Sequence, residues 1–204
     1  MSLSRGSHAL RSARTAVLTA VVAAAALTLS ACGAGKSGGG GNTNFVTGTG
    51  GIATVAEGKR TAPNELSGTT LQGKQLDVAD YKGKIVVLNL WGSWCGPCRG
   101  EAKYFSQVAA ETKAQGVEFV GINTRDPQKN TAIRFEEEHG VEYPSLYDPM
   151  GKLVVNGFPR GTLNPQAIPT TIVLDREGKI AARSLQGLDD KKLHEMIDPL
   201  IAEK

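Results

Sequence analysis

The stretch IVVLNLWGSWCGPCRGE, residues 85–101, narrows the possible folds more than any other part of this 204-residue chain. Ile85–Leu90 is five large aliphatic residues interrupted only by Asn89. A run of that kind suits a strand covered on both faces, the buried strand of a layered α/β sheet. Trp94 and Cys95 follow, and Gly96-Pro97-Cys98 then opens a helix. Proline fits the first helical turn because its missing N–H has no partner there in any case. Glu101–Gln115 carries Phe105, Val108, Ala109 and Thr112 three and four residues apart and ends at Gly116, which predicts a helix with one apolar stripe.

The rest of the chain supplies the layers. Ile52–Val55 and Leu71–Val78 are short, alternating and bounded by glycine; they read as weak strands, the second with a turn over Gly73-Lys74. Val117–Ile122 is a second buried-strand run, Lys129–His139 a helix with Ala132, Ile133 and Phe135 inward, and Tyr143–Tyr147 a short strand. Met150–Asn156 gives a helical turn or two, ahead of a Gly/Pro/Asn loop from Gly157 to Pro165. Thr170–Asp175 and Lys179–Ser184 flank Arg176-Glu177-Gly178 as a hairpin, and Asp189–Ala202 is a closing amphipathic helix. This order predicts one α/β domain, a central mixed β-sheet flanked by helices, parallel in the middle and antiparallel at its edge.

Cys95 and Cys98 are two of only three cysteines. A structural staple gains stability with the length of loop it closes, and two intervening residues close almost nothing. A metal clip needs about four ligands; the domain adds only His139 and His194, distant in sequence, so no metal is expected. A covalent haem needs a histidine directly after the second cysteine, where this chain has Arg99. A redox pair accounts for the neighbours as well. Cys95 at a helix N-terminus is favoured as a thiolate by free N–H groups and the macrodipole. Cys98 lies three residues on, on the same face, placed to attack a mixed disulfide. The redox-active disulfide Cys95–Cys98 is then the only redox group, with no other cofactor. Trp94 packs beside this site or serves as core filler.

With Ile168-Pro169-Thr170 just ahead of a later strand, WCGPC after a β-strand resembles the thioredoxin fold. That resemblance implies a cis bond before Pro169, facing the cysteines, and an Ile168 backbone that pairs with bound peptide. Trp94, Ile168 and Pro169 are accordingly the expected substrate contacts. The likeness narrows further. A hairpin-like lead-in over Leu66–Tyr81, the motif VVLNLWGSWCGPCRGE and a helix–strand insert between Asn123 and Gly157 are similar to the ResA/TlpA/CcsX group over residues 61–204, as are the export signal and lipobox at the N-terminal end. Members of that group are membrane-tethered thiol–disulfide proteins of cytochrome c maturation. The resemblance thus implies a thioredoxin-like fold with an N-terminal hairpin extension and a central helix–strand insert.

Two departures bear on roles. Cytoplasmic thioredoxins carry a buried aspartate six residues before the first cysteine; here Asn89, which does not titrate, holds that place. Glu101, three residues after Cys98, matches the active-site glutamate of ResA-like proteins, and a carboxylate near buried thiols has a raised pKa suited to a general base. Its other reading is a solvated first-turn glutamate favoured by the helix dipole. Gly96 stands where some ResA-like proteins carry an acid, so the resemblance implies no substrate selection there. His139 and His194 read as surface residues. Arg99 and Arg125 read as solvated charge, with tuning of the thiolate or contact with a substrate as the other role.

At the other end of the chain Arg5, Arg11 and Arg14 precede the apolar run Ala16–Leu29, shorter than the roughly 20 residues that span a bilayer. A basic start, an apolar middle and small residues before Cys32 describe a lipoprotein signal peptide over residues 1–31. A single transmembrane anchor is the competing reading. Leu29-Ser30-Ala31-Cys32 resembles the bacterial lipobox, which makes Cys32 the lipidation site and accounts for an otherwise stray thiol. Cleavage removes three of 23 basic residues and leaves 20 against 20 acids, so the charge does not point to nucleic acid. Nine of the 19 residues from Gly33 to Gly51 are glycine, so residues 32–60 read as a lipidated, flexible tether and 61–204 as the domain.

The residues and the resemblance together predict a monomeric thiol–disulfide reductase, lipid-anchored on the extracytoplasmic face of the cell membrane. Its expected substrates are disulfide-containing exported proteins, the CxxCH haem site of apocytochrome c among them. A membrane electron donor of the CcdA type is the implied source of electrons. Gly-Pro between the cysteines is the dipeptide of thioredoxin, a reductant at about −270 mV. An oxidase or isomerase of secreted disulfides uses the same residues in reverse. A peroxidase of related fold calls for a Thr/Ser-rich turn before a lone cysteine, which WCGPC does not resemble. A non-catalytic lipoprotein that binds partners through the scaffold is the remaining alternative.

Overall fold

The structure, a computed structural model, describes residues 43–203. The signal peptide, Cys32 and the first part of the tether lie outside the described residues. In chain order the elements are β1 (Val46–Thr47), β2 (Ile52–Thr54), β3 (Ser67–Thr69), β4 (Gln75–Asp77), β5 (Ile85–Trp91), α1 (Gly96–Thr112), β6 (Val117–Thr124), α2 (Lys129–His139), β7 (Ser145–Asp148), α3 (Lys152–Asn156), β8 (Thr170–Leu174), β9 (Ile180–Ser184) and α4 (Asp190–Ala202). Seven strands make one sheet in the order β1-β2-β9-β8-β5-β6-β7, and β3 and β4 pair by themselves. β5, β6 and β7 run parallel, while every neighbouring pair from β5 through β8, β9 and β2 to β1 is antiparallel. This is the thioredoxin-like mixed sheet flanked by helices, with α2 and β7 as the insert. Among the described residues no helix is long and apolar enough to cross a membrane.

Alternation along β5 decides what lies where. All seven of its residues are buried, and successive side chains point to opposite faces. Ile85 and Val87 join the core beneath α1 and α4, with Phe105, Val108, Leu193 and Ile197. Val86, Leu88 and Leu90 join the opposite core, with Leu66, Val78 and Val154. Asn89 shares the parity of Ile85 and Val87, so it faces α1. That helix buries Cys98, Glu101, Ala102, Phe105, Val108 and Thr112, a stripe at three- and four-residue spacing. Removing its largest member tests the packing. Phe105 is fully buried and meets Phe119 edge-on at 6.1 Å. Phe105→Ala is expected to cost about 3–5 kcal/mol, read as a lower denaturant midpoint at unchanged slope.

Two features depart from expectation. The lead-in hairpin lies within Leu66–Tyr81, but its strands are Ser67–Thr69 and Gln75–Asp77, and the strand reading of Leu71–Val78 does not hold. Leu71 falls in the turn, where its side chain is buried against Trp91, Cys95 and Cys98 and its amide donates to the Ser145 carbonyl of β7 at 2.9 Å. Burying that side chain at the active-site end takes it out of the ladder, and Gly73 at φ 84° completes the reversal. The sheet also begins upstream of residue 61, where composition places the start of the domain. β2 pairs with β9 and buries Ile52 and Ala53, and β1 adds to it from inside the glycine-rich stretch. Gly50 and Gly51, at φ 76° and 84°, turn the chain between them, a conformation glycine adopts without steric cost.

Candidate active site

β5 pairs in parallel with β6 up to Trp91 and Asn123, and antiparallel with β8 from Leu90 and Thr170. This register gathers the ends of β5 and β6 and the start of β8 at one edge of the sheet. There Cys95 is the N-cap of α1, with its Sγ accepting from the Cys98 amide at 3.2 Å. Cys95 and Cys98 are joined as a disulfide with their Cα atoms 5.3 Å apart. Pro97 lies in the first turn. Cys95 and Cys98 are 4% and 1% exposed, enclosed by Leu71, Trp91, Ala102, Ala132 and Phe135. A thiolate formed at Cys95 would face the free amides of the helix start, the position in which a thiol loses its proton most readily.

One turn further along the same stripe is Glu101, 3% exposed. The solvated first-turn reading does not hold: its carboxylate accepts from Asn89 Nδ2 at 2.9 Å and from the Leu188 amide at 3.0 Å. Burial pushes the Glu101 carboxyl up to about 7, and the two hydrogen bonds offset part of that rise. Asn89 therefore keeps the position of the missing aspartate but works as a neutral donor to the glutamate. A Cβ placed on Gly187 would lie 3.7 Å from Glu101 Oε2 and 3.9 Å from Pro169, so Glu101 and the proline loop flank the same residue. The Ile168–Pro169 bond is cis. Ile168 is half-buried, packed against the cysteine cluster on one side and the second core on the other.

The loop between β5 and α1 is clamped from β6. Asp126, buried, accepts from the Ser93 amide at 2.8 Å, the Ser93 hydroxyl at 2.6 Å and Asn123 Nδ2 at 2.7 Å. Tyr147 donates to the Asp126 carbonyl at 2.9 Å. Trp94 is not core filler: it is 51% exposed, with the Arg125 guanidinium 5.0 Å from its ring centroid. A Cβ on Gly92 would meet the Trp94 indole at 2.7 Å, so that ring position requires glycine there. Sequence reasoning missed Asp126, whose one visible signal is an Asp-Pro step after a strand, where turn chemistry places acceptor side chains. It also missed the Leu188 amide, a backbone group with no sequence signal.

The remaining singled-out residues lie apart from these groups or brace them. Arg99 donates to the Ser93 carbonyl at 3.2 Å. His139 stacks on Phe135 at 4.3 Å, and Phe135 stacks on Trp91 at 4.6 Å. His194 sits on α4 between Asp198 and Glu111.

The chain is similar to known proteins. The AhpC/TSA family profile matches residues 59–183. The thiol-disulfide oxidoreductase ResA of Geobacillus kaustophilus is 34% identical over 167 residues, which are 82% of each chain. Among solved structures, a DsbF homologue from Corynebacterium diphtheriae is 38% identical with a TM-score of 0.69, covering 78% of this chain and 100% of its own. A secreted thiol-disulfide isomerase from Corynebacterium glutamicum is 32% identical with a TM-score of 0.71, covering 80% of this chain and 100% of its own.

Proposed function

Since this chain belongs to the AhpC/TSA family and is a thiol–disulfide oxidoreductase, we propose that it reduces disulfides of exported proteins outside the cytoplasm. The haem-binding cysteine pair of apocytochrome c is among its substrates. A lipid on Cys32 holds it to the membrane, residues 33–42 serve as the glycine-rich spacer, and the domain acts as a monomer. The observation that carries the reading is the pairing of Cys95–Cys98 at the start of α1 with a buried Glu101 held by Asn89.

In the reduced protein the Cys95 thiolate attacks one sulfur of the substrate disulfide. A mixed disulfide forms and the other substrate sulfur leaves as a thiolate. Glu101 takes the proton of Cys98, whose thiolate then attacks Cys95 Sγ and releases the second substrate sulfur. Two electrons have passed to the substrate, and the Cys95–Cys98 disulfide is left to be re-reduced by a membrane donor of the CcdA type. Trp94, Ile168 and Pro169 frame the approach in this reading, and the Ile168 backbone pairs with the incoming chain.

Cys98→Ala in the full-length protein, expressed in cells, removes the resolving thiol and retains partners on Cys95. Cytochrome c precursors among the trapped proteins are the expected result, and their absence ends the haem-site reading. The likeness to the secreted thiol-disulfide isomerase of Corynebacterium glutamicum favours one alternative, an oxidase or isomerase of disulfides in secreted proteins. A measured potential near the thioredoxin value of about −270 mV supports the reductase, and one near the DsbA value of about −120 mV overturns it.

A further inference from the structure

Arg125 is an arginine where the backbone favours glycine. Its φ is 58°, and among the described residues only Asn44 shares that region without being glycine. Asparagine tolerates the left-handed conformation; a long side chain with a Cβ pays for it sterically. The side chain it places there is not used internally. Nε and Nη2 are shielded from solvent and have no hydrogen-bond partner, and no ion pair among the described residues involves Arg125. The two carboxylates closest along these loops are already engaged. Asp126 is held by Ser93 and Asn123, and Asp148 receives the Lys152, Leu153 and Val154 amides at the start of α3.

The uncompensated cation lies beside the reactive disulfide. Its guanidinium covers the ring of Trp94, the residue before Cys95. On its other side a Cβ on Gly151 would sit 3.8 Å from Arg125 Cγ, and the preceding Met150 is 76% exposed. Trp94 and Arg125 therefore form a short rim, half apolar and half positive, next to Cys95 in the chain. A polypeptide presenting a disulfide to Cys95 comes close to it.

We propose that Arg125 is a specificity-determining residue, receiving the carboxylate of an acidic side chain that flanks the disulfide of the polypeptide substrate. This rests on the reading of the protein as acting on protein disulfides. Nε and Nη2 are enclosed, so the carboxylate meets Nη1, and arginine suits the role because its delocalised charge persists at every physiological pH.

Three peptides with the same internal disulfide, flanked by Asp, Asn or Lys, test it in single-turnover exchange with the full chain. The Asp peptide is expected to react roughly fivefold faster than the Lys peptide at about 0.01 M salt, with the gap closing near 1 M. Arg125→Asn, which suits the left-handed backbone, should abolish the spread, Arg125→Lys should keep most of it, and Arg125→Glu should reverse it. Equal rates for the three peptides with the unaltered protein overturn the proposal. So does Arg125→Asn slowing all three alike, which would make the residue a tuner of the Cys95 thiolate. Rates are taken in both directions. A protein that oxidises the peptides and does not reduce them sinks the reductase reading and still measures the charge preference.

Discussion

Cys95→Ser is expected to abolish disulfide exchange, by at least about a thousandfold, whereas Cys98→Ala leaves a protein that begins the reaction and cannot finish it. The asymmetry follows from where the two sulfurs sit. Cys95 caps α1, so a negative charge on its sulfur meets unpaired amides and the positive end of the helix dipole. Cys98 is one turn inside, 1% exposed, and its own amide already points at Cys95 Sγ. Of the two, Cys95 is therefore the one whose thiolate the helix start favours. The measurement is single-turnover reaction of each reduced variant with a disulfide peptide, followed by mass. Cys98→Ala should accumulate a one-to-one covalent adduct that dithiol reductant releases, and Cys95→Ser should accumulate none. An adduct on Cys95→Ser, formed through Cys98 at a comparable rate, would invert the roles assigned to the two residues.

How much of this was legible in the sequence differs from residue to residue. β5, α1 and the junction between them follow from an apolar run, a proline and a stripe at helical spacing, all local signals. Asn89 and Glu101 were each visible as departures or matches. Their contact was not, because it depends on which face of β5 lies under α1, and that is settled only when α1 and α4 pack on the sheet. The second partner of Glu101 comes from the Leu188 amide, 87 residues away, and a backbone donor leaves no mark on composition. β1 is two β-branched residues, Val46 and Thr47, in a glycine-rich stretch, strand-formers but too short a run to read as a strand before its ladder to β2 is known. Leu71 alternates like a strand residue but is drawn into the cysteine cluster. Arg125 reads from composition as surface charge. Only the backbone angle and the unpaired nitrogens set it apart.

Glu101 carries the second large effect, with two separable readouts. Glu101→Gln keeps the shape and the capacity to accept from the Leu188 amide but cannot take a proton. Resolution of the Cys95 mixed disulfide is expected to slow by about a hundredfold near neutral pH. The rise of that rate with pH, centred in the unaltered protein near the Glu101 value of about 7, should flatten. Stability should move the other way. The folded protein holds the Glu101 proton up to about pH 7, while the unfolded chain releases it near the ordinary glutamate value of 4.5. Between those values the folded state binds more protons, so stability falls as pH rises through the window. From about pH 5 to pH 8 this one group costs about 2.5 kcal/mol. Denaturant midpoints of the oxidised protein, compared with oxidised Glu101→Gln at both pH values, isolate that contribution because other groups cancel in the difference. The variant should be the more stable of the two at the higher pH and the slower at resolving the mixed disulfide. A Glu101→Gln protein that resolves at the normal rate removes Glu101 from the proton path. One whose stability tracks the unaltered protein across the window shows instead that the carboxyl ionises freely in the fold.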